Sequence, residues 1–92
     1  MVSRTVAVTN RLGMHARAAA RFVHLATRFE SHVRVAYGNQ AMDGKSIMGI
    51  LLLAAAPGAV LTISAEGRDE AAVVDALCAL VQSGFGEDTC SA

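Results

Sequence analysis

The sequence is poor in aromatic residues and in cysteine. Its 92 residues include no Trp, one Tyr and three Phe, although 53% are apolar. The core must therefore be filled by Ala, Val and Leu, between closely spaced layers of secondary structure. Cys78 sits in a helical pattern and Cys90 near the chain end, a spacing that fits neither a disulfide framework nor a metal motif. We expect two free thiols, no metal site and no cofactor.

Long hydrophobic runs are also missing. The longest, residues 47–56, contains Gly49 and is about half of the roughly 20 residues that cross a bilayer. No apolar signal core follows residues 1–5. We expect a soluble cytoplasmic protein without membrane insertion. A chain this short forms one domain, expected over residues 1–88 with a disordered tail over residues 89–92, and it leaves little room for a deep cleft.

The net charge is zero, but the charges are unevenly distributed. Residues 1–34 carry six Arg against one Glu, whereas residues 59–92 carry one Arg against six acidic residues. Such a dipolar chain is suited to steering toward an acidic partner surface. On charge alone, an ordinary solvated surface is the simpler explanation of this pattern.

Hydrophobic periodicity predicts four strands and three helices in the order βαββαβα. We expect strands over residues 5–9, 32–37, 40–42 and 60–66, and helices starting at Ala16, running from Ile47 to about Ala55, and running from an Asp69 cap to a stop at Gly84. One antiparallel sheet with all helices on a single face is the economical packing, which makes the fold class α+β.

The patterns also predict which side chains are buried. The core positions are expected to be Ala19, Phe22, Val23, Ala26 and Phe29 on the first helix, Leu61, Ile63 and Ala65 on the fourth strand, and Val73, Leu77, Leu80 and Val81 on the last helix. The opposite face of the first helix carries Arg17, Arg21, His24 and Arg28.

His15 is the first candidate for chemistry, because it stands where a loop meets a helix N-terminus. The backbone N–H groups of Ala16, Arg17 and Ala18 lack intrahelical acceptors there, and a dianionic phosphoryl group on the imidazole would meet them. Arg17 could add a charge-assisted contact. Local chemistry alone leaves a histidine that merely caps the helix as the alternative. His24 and His32 are best explained as surface residues.

Ser46 and the helix after it form the second candidate region. Ser46 is first of all an N-cap, and regulatory phosphorylation is the sharper hypothesis. The helix is apolar nearly all round, so Ile47 and Met48 are candidates for a docking patch unless a neighbouring loop covers them. A close backbone approach would explain Gly49, which is unfavourable within a helix.

Four segments together resemble the HPr family of phosphocarriers. They are Gly13-Met14-His15-Ala16-Arg17, Lys45-Ser46-Ile47-Met48-Gly49, Ala65-Glu66-Gly67 and Ser83-Gly84-Phe85-Gly86-Glu87. The resemblance covers about residues 2–87. It implies an open-faced β-sandwich whose four-stranded antiparallel sheet, in the order 1-4-2-3, is covered on one face by three helices.

The resemblance also implies a function in the bacterial phosphoenolpyruvate-dependent phosphotransferase system. Enzyme I would phosphorylate His15 at Nδ1, and the group would pass to an enzyme IIA domain, with Arg17 stabilising it in transfer. In some lineages of the family, the serine that matches Ser46 is the target of an ATP-dependent HPr kinase/phosphorylase. Ile47, Met48, Arg17 and Arg21 would contact partners. The chain would then be a monomeric, stoichiometric relay rather than a catalyst.

One position departs from the family pattern, which usually has Pro where this chain has Ala18. Our hypothesis is that the Ala18 amide adds a donor near the cap or the phosphate. The departure leaves open a regulatory phosphocarrier of the nitrogen-related branch. A nucleic-acid-binding module using the arginines is a remote alternative, opposed by the zero net charge and the lack of interleaved aromatics. A metal-dependent enzyme lacks ligands.

Overall fold

A computed structural model of the chain describes residues 1–86, so the predicted tail and Cys90 lie outside the described residues. The elements follow the predicted order βαββαβα. They are β1 (Val2–Ala7), α1 (Ala16–Ala26), β2 (His32–Tyr37), β3 (Gln40–Asp43), α2 (Ile47–Leu52), β4 (Val60–Glu66) and α3 (Glu70–Gln82), followed by a 3₁₀ turn (Gly84–Gly86).

The four strands form one antiparallel sheet in the order β1-β4-β2-β3, as the family resemblance implied. Its register places Val6 opposite Leu61 and Val35 opposite Ile63. Because side chains alternate between the two faces of a strand, these four residues point to the same face, and all are buried. The helices cover that face and leave the other one open, which confirms the α+β open-faced sandwich.

The predicted helix faces are confirmed with small differences. On α1 the buried side chains are Ala18, Ala19, Phe22, Val23 and Ala26, and on α3 they are Val73, Val74, Leu77, Cys78 and Val81. Phe29 and Leu80, both expected in the core, are only half buried. Cys78 is a free thiol as predicted, and burial raises its pKa. No helix within residues 1–86 has the length and apolar character needed to span a bilayer.

Two element boundaries differ from the predictions. β1 begins at Val2 and ends at Ala7, because the pairing of Val2 with Ala65 on β4 extends the strand beyond its own alternating stretch. α2 ends at Leu52 rather than near Ala55, because Ala54 has a left-handed φ of 52° that no helix can continue through.

The expected Asp69 cap is partly wrong. Asp69 occupies the N-cap position of α3, but its side chain makes no capping hydrogen bond. Its carboxylate instead accepts hydrogen bonds from the Ser31 hydroxyl and from the backbone N–H groups of Glu30 and Ser31, the last two at 2.9 Å. Asp69 therefore joins the α1–β2 connection to the start of α3. The Ser31 hydroxyl, followed by the Glu30 amide, holds the pKa of Asp69 below its ordinary value.

This cluster predicts a pH-dependent contribution to stability. A carboxyl whose pKa is lower in the folded chain stabilises it fully above the unfolded value, about 3.9, and loses that contribution as pH falls through the folded value. We therefore expect Asp69→Asn to lower the free energy of unfolding at pH 7, with the difference from wild type shrinking below pH 4. Urea unfolding of both proteins between pH 7 and pH 3 measures this difference. Asp75→Asn, which breaks only an exposed ion pair with Arg4, is the matched control and should have little effect. An Asp69→Asn deficit independent of pH would contradict the assignment.

Candidate functional site

His15 occupies the N-cap position of α1. Its backbone is extended, with φ −76° and ψ −179°, and its carbonyl accepts the first helical hydrogen bond from the Ala19 N–H at 2.8 Å. The half-buried imidazole turns Nδ1 toward the helix, where it accepts a hydrogen bond from the Arg17 backbone N–H at 3.3 Å. An accepting nitrogen carries the lone pair, so in the neutral ring the hydrogen resides on Nε2. The lone pair of Nδ1 thus faces the positive end of α1.

The loop before His15 is held by one side-chain and one backbone hydrogen bond. The Asn10 side-chain amide donates to the Gly13 carbonyl at 2.7 Å, and Asn10 is fully buried. Gly13 has a φ of +64°, and the buried Met14 donates its N–H to the Ala55 carbonyl at 2.9 Å. This loop therefore presents the imidazole from a fixed backbone.

Ala16, Arg17 and Ala18 form the first turn of α1, as predicted. The N–H groups of a first turn have no intrahelical acceptor, so they can bind an anion at the His15 side of the helix. The Ala18 side chain is fully buried, whereas its amide is the third of these donors. A proline would remove that donor.

The two arginines that the sequence placed at the site have different surroundings. Arg17 is exposed, two residues after His15, where its guanidinium can meet an anion on the ring. Arg21 lies one turn further along α1 and donates from its guanidinium to the Phe85 carbonyl in the C-terminal 3₁₀ turn. This contact could not be predicted from the sequence, because residues 64 positions apart carry no local signal.

Ser46 caps α2, as predicted. Its Oγ accepts a hydrogen bond from the Gly49 N–H at 3.1 Å, and its carbonyl accepts one from Ile50 at 3.0 Å. A Cβ on Gly49 would lie 3.3 Å from both the Met42 Cβ and the Ser46 Oγ. These are side-chain atoms, so the glycine is explained by close side chains and not by the backbone approach that was expected. The half-buried hydroxyl is therefore held at the end of the helix by its cap bond.

Ile47 and Met48 are exposed at the start of α2, by 38% and 67% respectively. Leu52, on the same helix, and Leu12, in the loop leading to His15, are exposed by 60% and 70%, and sequence analysis had assigned neither to a surface. Their exposure could have been predicted, because one is a large apolar residue in a loop and the other lies at a helix end. α1 and α2 pack against each other. Exposed apolar side chains are thus found both in the His15 loop and on α2, the helix that packs against α1.

Comparisons with known proteins agree with the motifs. A model of the family described as "PTS HPr component phosphorylation site" matches residues 2–83 of the chain. The chain belongs to the HPr family. The phosphocarrier protein HPr of Cupriavidus necator is 42% identical over 87 residues, which cover 95% of this chain and 98% of that protein.

Two further relatives bear on the fold and on the branch of the HPr family. The crystal structure of HPr-C-His from Thermoanaerobacter tengcongensis matches with a TM-score of 0.92 and 43% identity, over 96% of this chain and 99% of that one. The phosphocarrier protein NPr of Shewanella violacea is 36% identical over 86 residues, which cover 94% of each protein. The chain is thus similar to proteins of both names.

Proposed function

We propose that the chain is a phosphocarrier of the phosphotransferase system that carries the phosphoryl group on His15 Nδ1. Enzyme I, charged by phosphoenolpyruvate, supplies the group, and an enzyme IIA domain accepts it. The observation that carries this proposal is the orientation of Nδ1, which points its lone pair at the N-terminus of α1 beside the Arg17 N–H. Family membership supports the phosphocarrier role.

The transfer step needs little from the chain itself. The Nδ1 lone pair attacks phosphorus, the bond from phosphorus to the donor atom breaks, and the bonding pair returns to the donor. Nε2 keeps its hydrogen throughout. Such transfers pass through a loose transition state in which positioning and charge stabilisation dominate. A small carrier with an exposed nucleophile is therefore sufficient, and its partners complete the site.

After transfer, the phosphoryl oxygens take the place of the Nδ1 lone pair in front of the helix. The N–H groups of Ala16, Arg17 and Ala18 and the Arg17 guanidinium are then the donors that stabilise the dianion. Ile47, Met48, Arg17 and Arg21 are the proposed partner contacts, to which the exposure of Leu12 and Leu52 adds two apolar side chains. We propose that the carrier acts as a monomer in the cytoplasm, so that this surface is open to each partner in turn.

His15→Ala tests the proposal. Incubation with phosphoenolpyruvate, Mg²⁺ and enzyme I should add one phosphate to the wild type, observed by intact mass and lost after brief acid treatment. His15→Ala should add none, because no nucleophile remains at the helix. His24→Ala and His32→Ala, which remove the other two histidines, are the matched controls and should be phosphorylated normally. Phosphate on the His15→Ala variant would refute the site.

We also propose that Ser46 is a regulatory phosphorylation site for an HPr kinase/phosphorylase. A phosphate at the start of α2, next to Ile47 and Met48, would place negative charge on the surface proposed to dock acidic partners. ATP and the kinase should add an acid-stable phosphate to the wild type and none to Ser46→Ala, whereas Ser64→Ala on β4 should behave as wild type. Unchanged phosphorylation of Ser46→Ala would contradict this assignment.

A regulatory carrier of the nitrogen-related branch is the second candidate, favoured by the similarity to the NPr of Shewanella violacea. Its His15 chemistry would be the same, and only the partners would differ. Transfer rates from the phosphorylated chain to a sugar-specific and to a nitrogen-related enzyme IIA domain decide between the two. The faster acceptor identifies the branch.

A further inference from the structure

Ala54 has a backbone conformation that a non-glycine residue rarely adopts. Its φ is +52°, in the left-handed region. The residue is exposed, but its two neighbours, Leu53 and Ala55, are each only 4% exposed. The chain is therefore anchored in the core immediately before and after this bend, which forces the unusual conformation on Ala54.

The bend ends α2 and redirects the chain toward the loop that presents His15. Leu53 is the C-cap of α2, and Ala54, the next residue, donates its N–H to the Leu51 carbonyl at 3.0 Å. This is the position at which helices usually place glycine. The following carbonyl, that of Ala55, then accepts the Met14 N–H at 2.9 Å.

The His15 loop and the segment after α2 also approach each other closely at Gly13. A Cβ on Gly13 would lie 2.6 Å from the Ala55 oxygen, so only glycine fits against that carbonyl. Further along, the Gly58 N–H donates to the Val8 carbonyl and the Val8 N–H donates to the Ala59 carbonyl, both at 2.8 Å. The segment after α2 is thus fixed at both ends, and the direction of the Ala55 carbonyl depends on the conformation of Ala54.

We propose that Ala54 is a positioning residue for phosphoryl transfer. Its left-handed bend aims the Ala55 carbonyl at the Met14 N–H, and this hydrogen bond fixes the residue that directly precedes His15. Through Met14 it holds the imidazole at the N-cap, with Nδ1 toward the Arg17 N–H. The bend therefore links the end of α2 to the orientation of the reacting nitrogen. The kinetic part of this inference rests on the proposed function, whereas the structural part does not.

Substitutions at Ala54 separate conformation from side-chain bulk. Valine is β-branched and strongly disfavours the left-handed region, whereas asparagine, of similar size, tolerates it and glycine adopts it freely. Gly38 provides a matched control, because its φ is +60° and no atom lies within 4 Å of a Cβ placed there. Gly38→Val thus puts the same residue into the same backbone region at the β2–β3 hairpin, away from His15.

Two measurements are made on Ala54→Val, Ala54→Asn, Ala54→Gly and Gly38→Val. The first is the steady-state rate of phosphorylation by enzyme I with phosphoenolpyruvate, with the chain as varied substrate. The second is hydrogen exchange of the Met14 amide, followed by NMR on the unphosphorylated chain. We expect Ala54→Val to lower kcat about tenfold with KM changed less than twofold, and to speed Met14 exchange about tenfold. The asparagine and glycine variants should retain wild-type values of both, as should Gly38→Val despite a lower Tm.

Other results would overturn the proposal. Equal losses in the valine and asparagine variants, or an effect on KM alone, would make Ala54 a docking residue. A kcat loss in Gly38→Val as large as in Ala54→Val would mean that the effect comes from general stability. Wild-type Met14 exchange in Ala54→Val would show that the Ala54 conformation does not control the Met14–Ala55 hydrogen bond.

If enzyme I does not phosphorylate the wild type, the proposed function fails. The exchange rate of the Met14 amide and the chemical shift of the Arg17 amide then still test whether Ala54 positions His15. Should Ala54→Val not fold, Ala54→Leu, with a milder conformational preference, replaces it and the same ordering is expected.

Discussion

Replacing Arg17 by alanine is expected to lower the rate of phosphoryl transfer about 100-fold. Arg17 is exposed in the first turn of α1, and its backbone N–H donates to His15 Nδ1. Its long side chain starts from that turn, so we expect the guanidinium to contact a phosphoryl group on Nδ1. Negative charge on the phosphoryl oxygens is closest to this turn during transfer, so loss of one cationic donor raises the barrier. Removal of a single oriented donor of this kind typically costs 10²–10³ in rate. Rapid-quench transfer from enzyme I to the chain measures the effect.

Two other variants show whether geometry or charge is responsible. Arg17→Lys keeps the charge but loses the planar fork, so we expect a loss of roughly tenfold. Arg28→Ala removes the same charge from an exposed residue just beyond the C-terminal end of α1, the end opposite His15, and should change the rate less than threefold. Equal losses in the Arg17→Ala and Arg28→Ala variants would mean that long-range steering, not a contact with the phosphoryl group, explains the role of Arg17.

Gly13→Ala is expected to damage both stability and transfer. Its φ of +64° is unfavourable for alanine, and the new Cβ would lie 2.6 Å from the Ala55 carbonyl oxygen. Because the clash is with backbone, the His15 loop must move away from the segment after α2. We expect the free energy of unfolding to fall by about 2–4 kcal/mol and the transfer rate by about tenfold. Urea unfolding and the enzyme I assay provide the two values.

Gly38→Ala separates the two contributions. This glycine has a similar φ of +60°, with open space where the Cβ would be placed. Only the conformational cost remains, so we expect the free energy of unfolding to fall by about 1 kcal/mol and the transfer rate not to change. Should Gly13→Ala cost no more than Gly38→Ala, the contact with Ala55 would not be what fixes the loop.

Much of this molecule could be predicted from local patterns. The helical period of α1 predicted that Phe22 and Val23 are buried and that Arg17 is exposed. Strand alternation placed Leu61 and Ile63 in the core. Ser46 could be placed at a helix start because serine is a preferred N-cap. His15 could be placed at one because the helical period begins at Ala16. Family motifs supplied the strand order, which periodicity alone does not determine.

The contacts that hold the site together could not be predicted in this way. The sequence predicts that the Asp69 side chain caps α3. In the fold, Ser31 lies close enough for its hydroxyl to donate to the Asp69 carboxylate instead. Arg21 bonds the Phe85 carbonyl, and the Ala54 bend meets Met14 through Ala55. Each contact joins residues distant in sequence and depends on how the elements pack. Local preference gives no sign of them, and at Ala54 it points the wrong way, since alanine favours continuing the helix.

Heteronuclear NMR of the phosphorylated, ¹⁵N-labelled chain tests most directly whether His15 carries the phosphoryl group on the nitrogen facing α1. We predict a one-bond coupling between ³¹P and Nδ1 of His15, together with a shift of the Arg17 amide proton as its acceptor changes from imidazole to phosphoryl oxygen. Coupling to Nε2, or to a nitrogen of His24 or His32, would contradict the account.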